Sequence, residues 1–241
     1  GMLVLQAVLS DSRGEWGRTQ KQRPQWLRAC LAANWEHARR HGHAMVLRFL
    51  PSKPQLTPWM KQICIKDGDS GGDSACETRW ERENFNWEKH LQLADYLLNT
   101  KRDFTHVLMM DADASFTQVE RNTLGQMAEE LRRVGKDLFL TSEDWLVNGE
   151  KRVNGGLLFV KNSVFGKAIF QDTFEAHVIG PGVQDRGLEQ WRIGVRNRRC
   201  GGNEQQCLNS LFGLREFSNR TELFSGLRYN RGGCMLRTCA E

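Results

Sequence analysis

HVLMMDADA, residues 106–114, decides how this chain can fold. Its apolar part is short and is flanked by polar sequence, which is typical of a buried strand. Neighbouring side chains of a strand point to opposite faces, so Asp111 and Asp113 are expected to point the same way at the strand's end. Two carboxylates this close repel each other unless a cation lies between them. The pair therefore predicts a Mg²⁺ or Mn²⁺ site whose coordination is completed by a substrate's phosphates.

The chain before this strand predicts a parallel sheet. Residues 3–10 read LVLQAVLS, an apolar run that ends at a polar, turn-forming cluster beginning at Asp11. Apolar residues at helical spacing follow from Pro24 to His41, and residues 44–50 (AMVLRFL) then have the pattern of a second strand. A strand, a helix and a strand at this spacing indicate a βαβ unit.

Further helices and strands are predicted around residues 106–114. Helical periodicity marks residues 86–99, 124–134, 164–177 and 203–212. Strand patterns mark residues 137–141 and 153–160. Gly135 is placed to end one helix and Asn203 to cap the start of another. The predicted fold class is α/β, a mostly parallel twisted sheet with helices on both faces.

Length and composition favour one domain with a proper core. The chain has 241 residues, 39% of them hydrophobic, with eight Trp and twelve Phe. A net charge of +5 with 26% charged residues is a mild basic bias that fits a small anionic substrate. No basic stripe or aromatic-basic motif indicates nucleic-acid binding. No segment reaches the ~18 consecutive apolar residues of a membrane span.

Four motifs occur in an order that resembles a known family. They are WEK at residues 87–89, DADA at 111–114, NGGLLFVKNS at 154–163 and EQ at 204–205. Together they resemble the GT-A glycosyltransferases, and most closely the galactosyl/xylosyltransferase family of yeast mannan galactosyltransferases and plant xyloglucan xylosyltransferases. The match runs from about Trp87 to Leu211. The resemblance implies one GT-A domain over residues 1–241, with a nucleotide-binding half up to about residue 115 and a sugar- and acceptor-binding half after it.

The resemblance also implies an activity and a set of site residues. The activity is metal-dependent transfer, with retention, of a hexose or pentose from a nucleoside-diphosphate sugar to a glycan or other hydroxyl acceptor. The implied catalytic residues are Asp113, through the metal, and Glu204. The implied donor-binding residues are Asp11, Lys89, Asp111, Asn154, Gly155 and Gln205. From the residues alone, Lys89 could instead face solvent, and Glu204 could serve only the start of its helix.

The third metal ligand departs from the family pattern. The family usually supplies a His from a C-terminal stretch, and the comparable residues 229–234 here read YNRGGC. Asn230 takes that place beside Asp111 and Asp113, since its side-chain carbonyl oxygen can coordinate Mn²⁺ or Mg²⁺.

This departure leaves a second function open. It is a catalytically weak or inactive nucleotide-sugar- or carbohydrate-binding protein of the same fold. A phosphatase of the haloacid-dehalogenase type also has a strand that ends in D-x-D, but on its first strand. Here two predicted strands and two predicted helices precede Asp111, which argues against that class.

Cysteine usage and the first residues bear on the compartment. Seven cysteines without a CxxC pair do not indicate a zinc site. Cys64 with Cys76, and Cys234 with Cys239, are candidate disulfides, and free thiols are the alternative. Gly1 before Met2 is typical of a tag-cleavage remnant, so Met2 is either the native start or a boundary behind an upstream anchor. The Golgi or secretory lumen is expected in the second case, and a soluble intracellular protein in the first.

Overall fold

The computed structural model describes residues 1–8, 24–49, 85–99, 104–178 and 203–230. Its strands are β1 (Leu3–Val8), β2 (Ala44–Phe49), β3 (His106–Asp111), β4 (Leu138–Ser142), β5 (Val153–Lys161) and β6 (Thr221–Phe224). Its helices are α1 (Gln25–Arg40), α2 (Glu88–Asn99), α3 (Thr123–Val134), α4 (Val164–Val178), α5 (Glu204–Leu211), α6 (Arg215–Ser218) and α7 (Gly226–Tyr229). A 3-10 turn, Phe85–Trp87, leads into α2.

The sheet is mostly parallel, as the sequence predicts. Its strand order is β2-β1-β3-β5-β4-β6. β5 runs antiparallel to both of its neighbours, whereas the other described pairs are parallel. The chain moves from β1 outward to β2 and then returns to place β3 on the other side of β1, so the strand order reverses between β1 and β3. In open sheets of this kind, ligands bind beyond the carboxyl ends of the strands at that point.

Helices cover both faces of the sheet, which confirms the predicted layers. Alternate residues of β1 and β3 face opposite sides, and both sides are buried, which explains their nearly continuous apolar sequences. On one face, α1 and α3 pack against side chains that include Val4, Leu108, Met110 and Phe159. On the other face, α2, α4 and α5 pack against side chains that include Leu5, Met109, Leu158 and Val160.

Two predicted helix ends are confirmed. Gly135 follows α3 with a φ of 67°, a left-handed conformation that glycine adopts without strain. The side chain of Asn203 accepts a hydrogen bond from the backbone N–H of Gln206, at 2.9 Å, and so caps the start of α5.

The short elements α6, β6 and α7 are not predicted by the sequence. Each has four residues, too few to display a period of either kind. Long-range contacts hold α7 in place instead. The Asp144 carboxylate accepts hydrogen bonds from the Ser225 hydroxyl at 2.6 Å and from the Leu227 N–H at 2.9 Å.

Some predictions fall outside the described residues, namely the cysteine pairs Cys64/Cys76 and Cys234/Cys239 and the donor-binding role of Asp11. Among the described cysteines, Cys207 forms a disulfide and Cys30 is a free thiol. No described helix combines the length and the apolar character needed to cross a bilayer.

Candidate functional site

The two predicted metal-binding carboxylates line a large cavity. β3 ends at Asp111, and the following turn is closed by a hydrogen bond that the Ala114 N–H donates to the Asp111 carbonyl, at 3.1 Å. Asp111 and Asp113 both line a cavity of about 1410 Å³, which extends between this turn, α3 and α7. The site therefore lies where the strand order reverses, as the sheet topology leads us to expect.

The start of β5 brings a second group of predicted residues to the same edge. Because β5 is antiparallel to β3, its first residues lie beside the last residues of β3. The register with β4 jumps from Leu140 opposite Leu158 to Thr141 opposite Asn154, so residues 155–157 lie outside that ladder. Such irregularities are common next to functional sites. Here the jump leaves polar backbone groups of Gly155 and Gly156 available to side chains.

Side chains form hydrogen bonds with those backbone groups. The Gly155 N–H donates to the Gln205 side-chain oxygen at 2.8 Å, and the Gly156 N–H donates to the Asn154 side-chain oxygen at 2.9 Å. A Cβ at Gly156 would lie 3.0 Å from Asp111 Oδ2 and 2.9 Å from Asn154 Oδ1. The missing side chain therefore keeps the space beside the Asp111 carboxylate open for a ligand.

Lys89 is buried at the centre of this group rather than facing solvent. Only 3% of its side chain is exposed. Its ammonium lies 3.0 Å from Asp111 Oδ1, 2.9 Å from Glu204 Oε1 and 3.0 Å from the Gly155 carbonyl oxygen. Three acceptors match the three N–H donors of an ammonium. A contact of Lys89 with a phosphate, which stays a prediction, would have to replace one of these bonds.

Burial and charge act against each other in this cluster. Burial alone would lower the pKa of Lys89, but the Asp111 and Glu204 carboxylates raise it above its ordinary value, so the ammonium stays charged. Burial raises the pKa of Asp111, with Asp113 and Glu204 adding repulsion and Lys89 opposing them. A divalent cation at Asp111 would favour its ionised form.

Glu204 and Gln205 reach the site from the first turn of α5. Glu204 is buried, and its Oε2 atom has no hydrogen-bond partner among the described residues. The Gln205 amide donates to Glu143 Oε1 at 3.0 Å, and Arg152 lies 3.4 Å from Glu143 Oε2. The sequence motifs do not include Glu143. Its only signal is its place in the polar cluster directly after β4.

Asn230 lies on the cavity wall with Asp111 and Asp113. Its side-chain N–H groups face Asn154 Oδ1 at 2.6 Å and Thr141 Oγ1 at 3.2 Å, which leaves its carbonyl oxygen outside these bonds. In the described part of the chain, no group of three His, Cys, Asp or Glu side chains is placed to hold a metal. The protein groups available as metal ligands are two carboxylates and amide oxygens. They suit Mg²⁺ or Mn²⁺ only if oxygen atoms of a bound substrate complete the coordination.

Most of the predicted site residues thus form one connected group. Direct bonds join Lys89, Asp111, Glu204 and Gly155, and further bonds through Gly155 and Asn154 reach Gln205 and Asn230. Asp113 lines the same cavity, and its charge acts on Asp111 by repulsion.

Comparison with known proteins supports the fold. No family model and no curated protein sequence matches the chain. Solved structures do match, and one is the crystal structure of a glycosyltransferase involved in the glycosylation of the major capsid of PBCV-1. It is 10% identical in sequence, with a TM-score of 0.53 over 95% of this chain and 85% of that chain. At this identity the likeness shows the fold, a mixed α/β fold like that of GT-A glycosyltransferases.

Proposed function

We propose that the chain is a metal-dependent glycosyltransferase. It would transfer a sugar, a hexose or a pentose, from a nucleoside-diphosphate sugar to a glycan or other hydroxyl acceptor, with retention at the anomeric carbon. Among the glycosyltransferases, the four sequence motifs favour the galactosyl/xylosyltransferase family.

One observation carries the proposal. The Asp111-Ala112-Asp113 turn opens into a cavity at the point of strand reversal, next to a glycine that leaves room beside the carboxylate. A diphosphate needs a cation and an uncrowded backbone at such a place. The likeness in fold to a glycosyltransferase supports the same reading.

The residues of the site have distinct parts in the proposed reaction. Asp111 and Asp113 would hold Mn²⁺ or Mg²⁺, with Asn230 as the third protein ligand. A cation there would neutralise the charge that develops on the departing diphosphate. Lys89 holds one oxygen of Asp111 and the Gly155 carbonyl, so it fixes the metal-binding carboxylate against β5.

The sugar would lie beside Asn154, Gly155 and Glu204. In the transfer, the bond between the anomeric carbon and the phosphate oxygen breaks, and a bond to the acceptor oxygen forms. The acceptor's proton would leave on the nucleoside diphosphate, so the transfer would need no base from the protein. Glu204 is instead paired with the Lys89 ammonium. Glu204 is then suited to contact the transferred sugar rather than to act as a free base.

Replacing Asp113 tests the metal assignment. Asp113 is exposed, so Asp113→Ala should leave the fold intact and abolish Mn²⁺-dependent binding of UDP or GDP, measured by calorimetry. Asp95→Ala removes a carboxylate that does not line the cavity and should bind like the parent protein. Unchanged binding by the Asp113 variant would disprove the metal assignment.

The alternative is a nucleotide-sugar- or carbohydrate-binding protein with weak or no activity. One observation supports it: within the described residues, no group of three His, Cys, Asp or Glu side chains is placed to hold a metal. Incubation of UDP- and GDP-sugars with Mn²⁺ separates the two functions, because a transferase hydrolyses its own donor slowly without an acceptor. Binding without release of nucleotide across all donors would support the alternative.

A further inference from the structure

Two buried amide side chains lie beneath the turn that carries Asp111 and Asp113. Gln6 comes from β1 and Asn34 from α1, and both are 0% exposed. Neither belongs to a motif. Gln6 is the one strongly polar residue in the otherwise apolar strand LVLQAV, and Asn34 lies on the buried side of α1 with Leu27 and Ala38. Polar groups buried this deeply are costly unless they are hydrogen-bonded.

Gln6 bonds to the backbone of the turn. Gln6 is opposite Met110 in the parallel pairing of β1 with β3, one residue before the strand ends. Its Nε2 atom lies 3.1 Å from the carbonyl oxygens of Asp111 and Ala112 and 3.2 Å from that of Ala114. Two N–H groups are thus shared among three carbonyls. These carbonyls lie toward the space between β1 and α1.

Asn34 completes the arrangement from the other side. Its Nδ2 atom donates to Gln6 Oε1 and to the Ala114 carbonyl oxygen, each at 2.9 Å. Its Oδ1 atom accepts a hydrogen bond from the Phe116 N–H at 2.9 Å. The two amides are therefore bonded to each other and to both ends of the turn, and their polar atoms all have partners.

A strand residue that only filled the core would be apolar at this position. An isosteric apolar pair would leave the turn's carbonyls without partners, and each such buried group costs about 1–3 kcal/mol. The fold therefore uses two buried polar residues to specify one conformation of the turn. That conformation decides where Asp111 and Asp113 can meet a ligand.

We propose that Gln6 and Asn34 are positioning residues that hold the Asp111–Ser115 turn ready for a divalent cation and a diphosphate. They would act through the turn's backbone and would not touch the ligand. The functional part of this inference rests on the proposed function. The structural part, that the amide pair holds the turn, does not.

Two variants test the pair. Gln6→Met keeps the side-chain length and removes the donors. Asn34→Asp keeps the acceptor for the Phe116 N–H and removes the donor to Gln6 and Ala114. Replacing a residue that supports the ligands of a metal site typically lowers metal affinity by about 10- to 100-fold. We expect Mn²⁺ affinity, measured by calorimetry with UDP present and by EPR of the bound Mn²⁺, to fall by about that factor.

Asn162→Asp is the matched control. Asn162 donates its amide to the Phe104 carbonyl oxygen at 2.9 Å, just before the opposite end of β3. The same chemical change there should lower thermal stability without weakening Mn²⁺ binding. A purely structural role for Gln6 and Asn34 predicts that all three variants, where folded, bind Mn²⁺ like the parent protein. That result would overturn the functional part of the proposal.

Hydrogen exchange tests the structural part without any ligand. In Gln6→Met and Asn34→Asp, peptides covering residues 111–116 should lose protection, while peptides from the middle of β5 keep it. Unchanged protection of residues 111–116 would overturn the amide pair as the support of the turn. If the parent protein binds no Mn²⁺ at all, the proposed metal dependence fails, and the exchange data still decide whether the pair holds the turn.

Discussion

At the scale of single residues, Lys89 is the buried cation that keeps the site together. Its ammonium joins a residue of β3, a residue of α5 and a carbonyl of β5, three elements that are far apart in the sequence. Two carboxylates so near each other would otherwise repel. A buried charge cluster of this kind is held by the balance of its members, so removal of one member costs more than the ion pair contributes.

Lys89→Met should therefore destabilise the protein by about 3 kcal/mol, because Glu204 loses its counter-ion inside the fold. The change is measured by urea unfolding at pH 7. The double variant Lys89→Met/Glu204→Gln removes both charges and should recover part of that loss. If the double variant loses more free energy of unfolding than the two single variants lose in sum, the ion pair is not what holds these residues together.

At the scale of elements, the four-residue helix α7 is the least self-sufficient part of the cavity wall. A helix this short has no stability of its own, so it depends on tight contact with its neighbours. A Cβ at Gly226 would lie 2.0 Å from the Ser142 carbonyl oxygen and 2.4 Å from the Trp145 ring. Residues 227–230, which follow Gly226 directly, all line the cavity.

Gly226→Ala should move α7 away from β4 and weaken Mn²⁺-dependent nucleotide binding. Overpacking of this kind typically costs about 1–3 kcal/mol. Gly166→Ala is the matched control, since a Cβ there would lie 2.1 Å from the Lys161 carbonyl oxygen, on α4 and away from the cavity lining. Both variants should lower the melting temperature. Equal loss of binding in both would show that α7 has no particular part in the site.

At the scale of the whole molecule, the layers of helices and sheet could be predicted from the sequence. The hydrogen bonds and ion pairs that connect the site residues could be predicted only in part. Amphipathic periods and caps such as Gly135 are local, and the Asp111 strand end is visible as a pattern. The bonds of Lys89 to Glu204, and of Gln6 to Asn34, depend on how elements pack and leave no local trace. The short elements after residue 212 depend on packing in the same way.

The free energy of unfolding should depend on pH through buried titratable groups in different parts of the molecule. Burial lowers the pKa of His37 and of His106 to about 4, so the unfolded state takes up their protons first as the pH falls from about 6.5 to 4, and stability is lost in that window. Burial raises the pKa of Glu88 to about 7, so this carboxyl acts in the opposite sense between about pH 7 and 4.5.

Glu88→Gln should therefore steepen the loss of stability between about pH 6.5 and 4.5, and His106→Phe should make it shallower. Urea unfolding across that range measures both slopes. His106 stacks on Phe159 with ring centroids 5.0 Å apart, so the phenylalanine keeps an aromatic ring at this position. Parallel curves for the parent protein and both variants would contradict these assignments.

The reversed direction of β5 has a consequence for protein engineering. Because β4 ends and β5 begins at the edge of the sheet that carries Asp111, the connection between them, residues 143–152, lies on the side where the candidate site lies. Glu143 and Asp144 hold Gln205 and α7, Trp145 packs on Gly226, and Arg152 pairs with Glu143, so residues 146–151 are the part that can be varied while these contacts stay as they are. Under the proposed function, a library confined to these six residues would offer laboratory evolution a route to new acceptors.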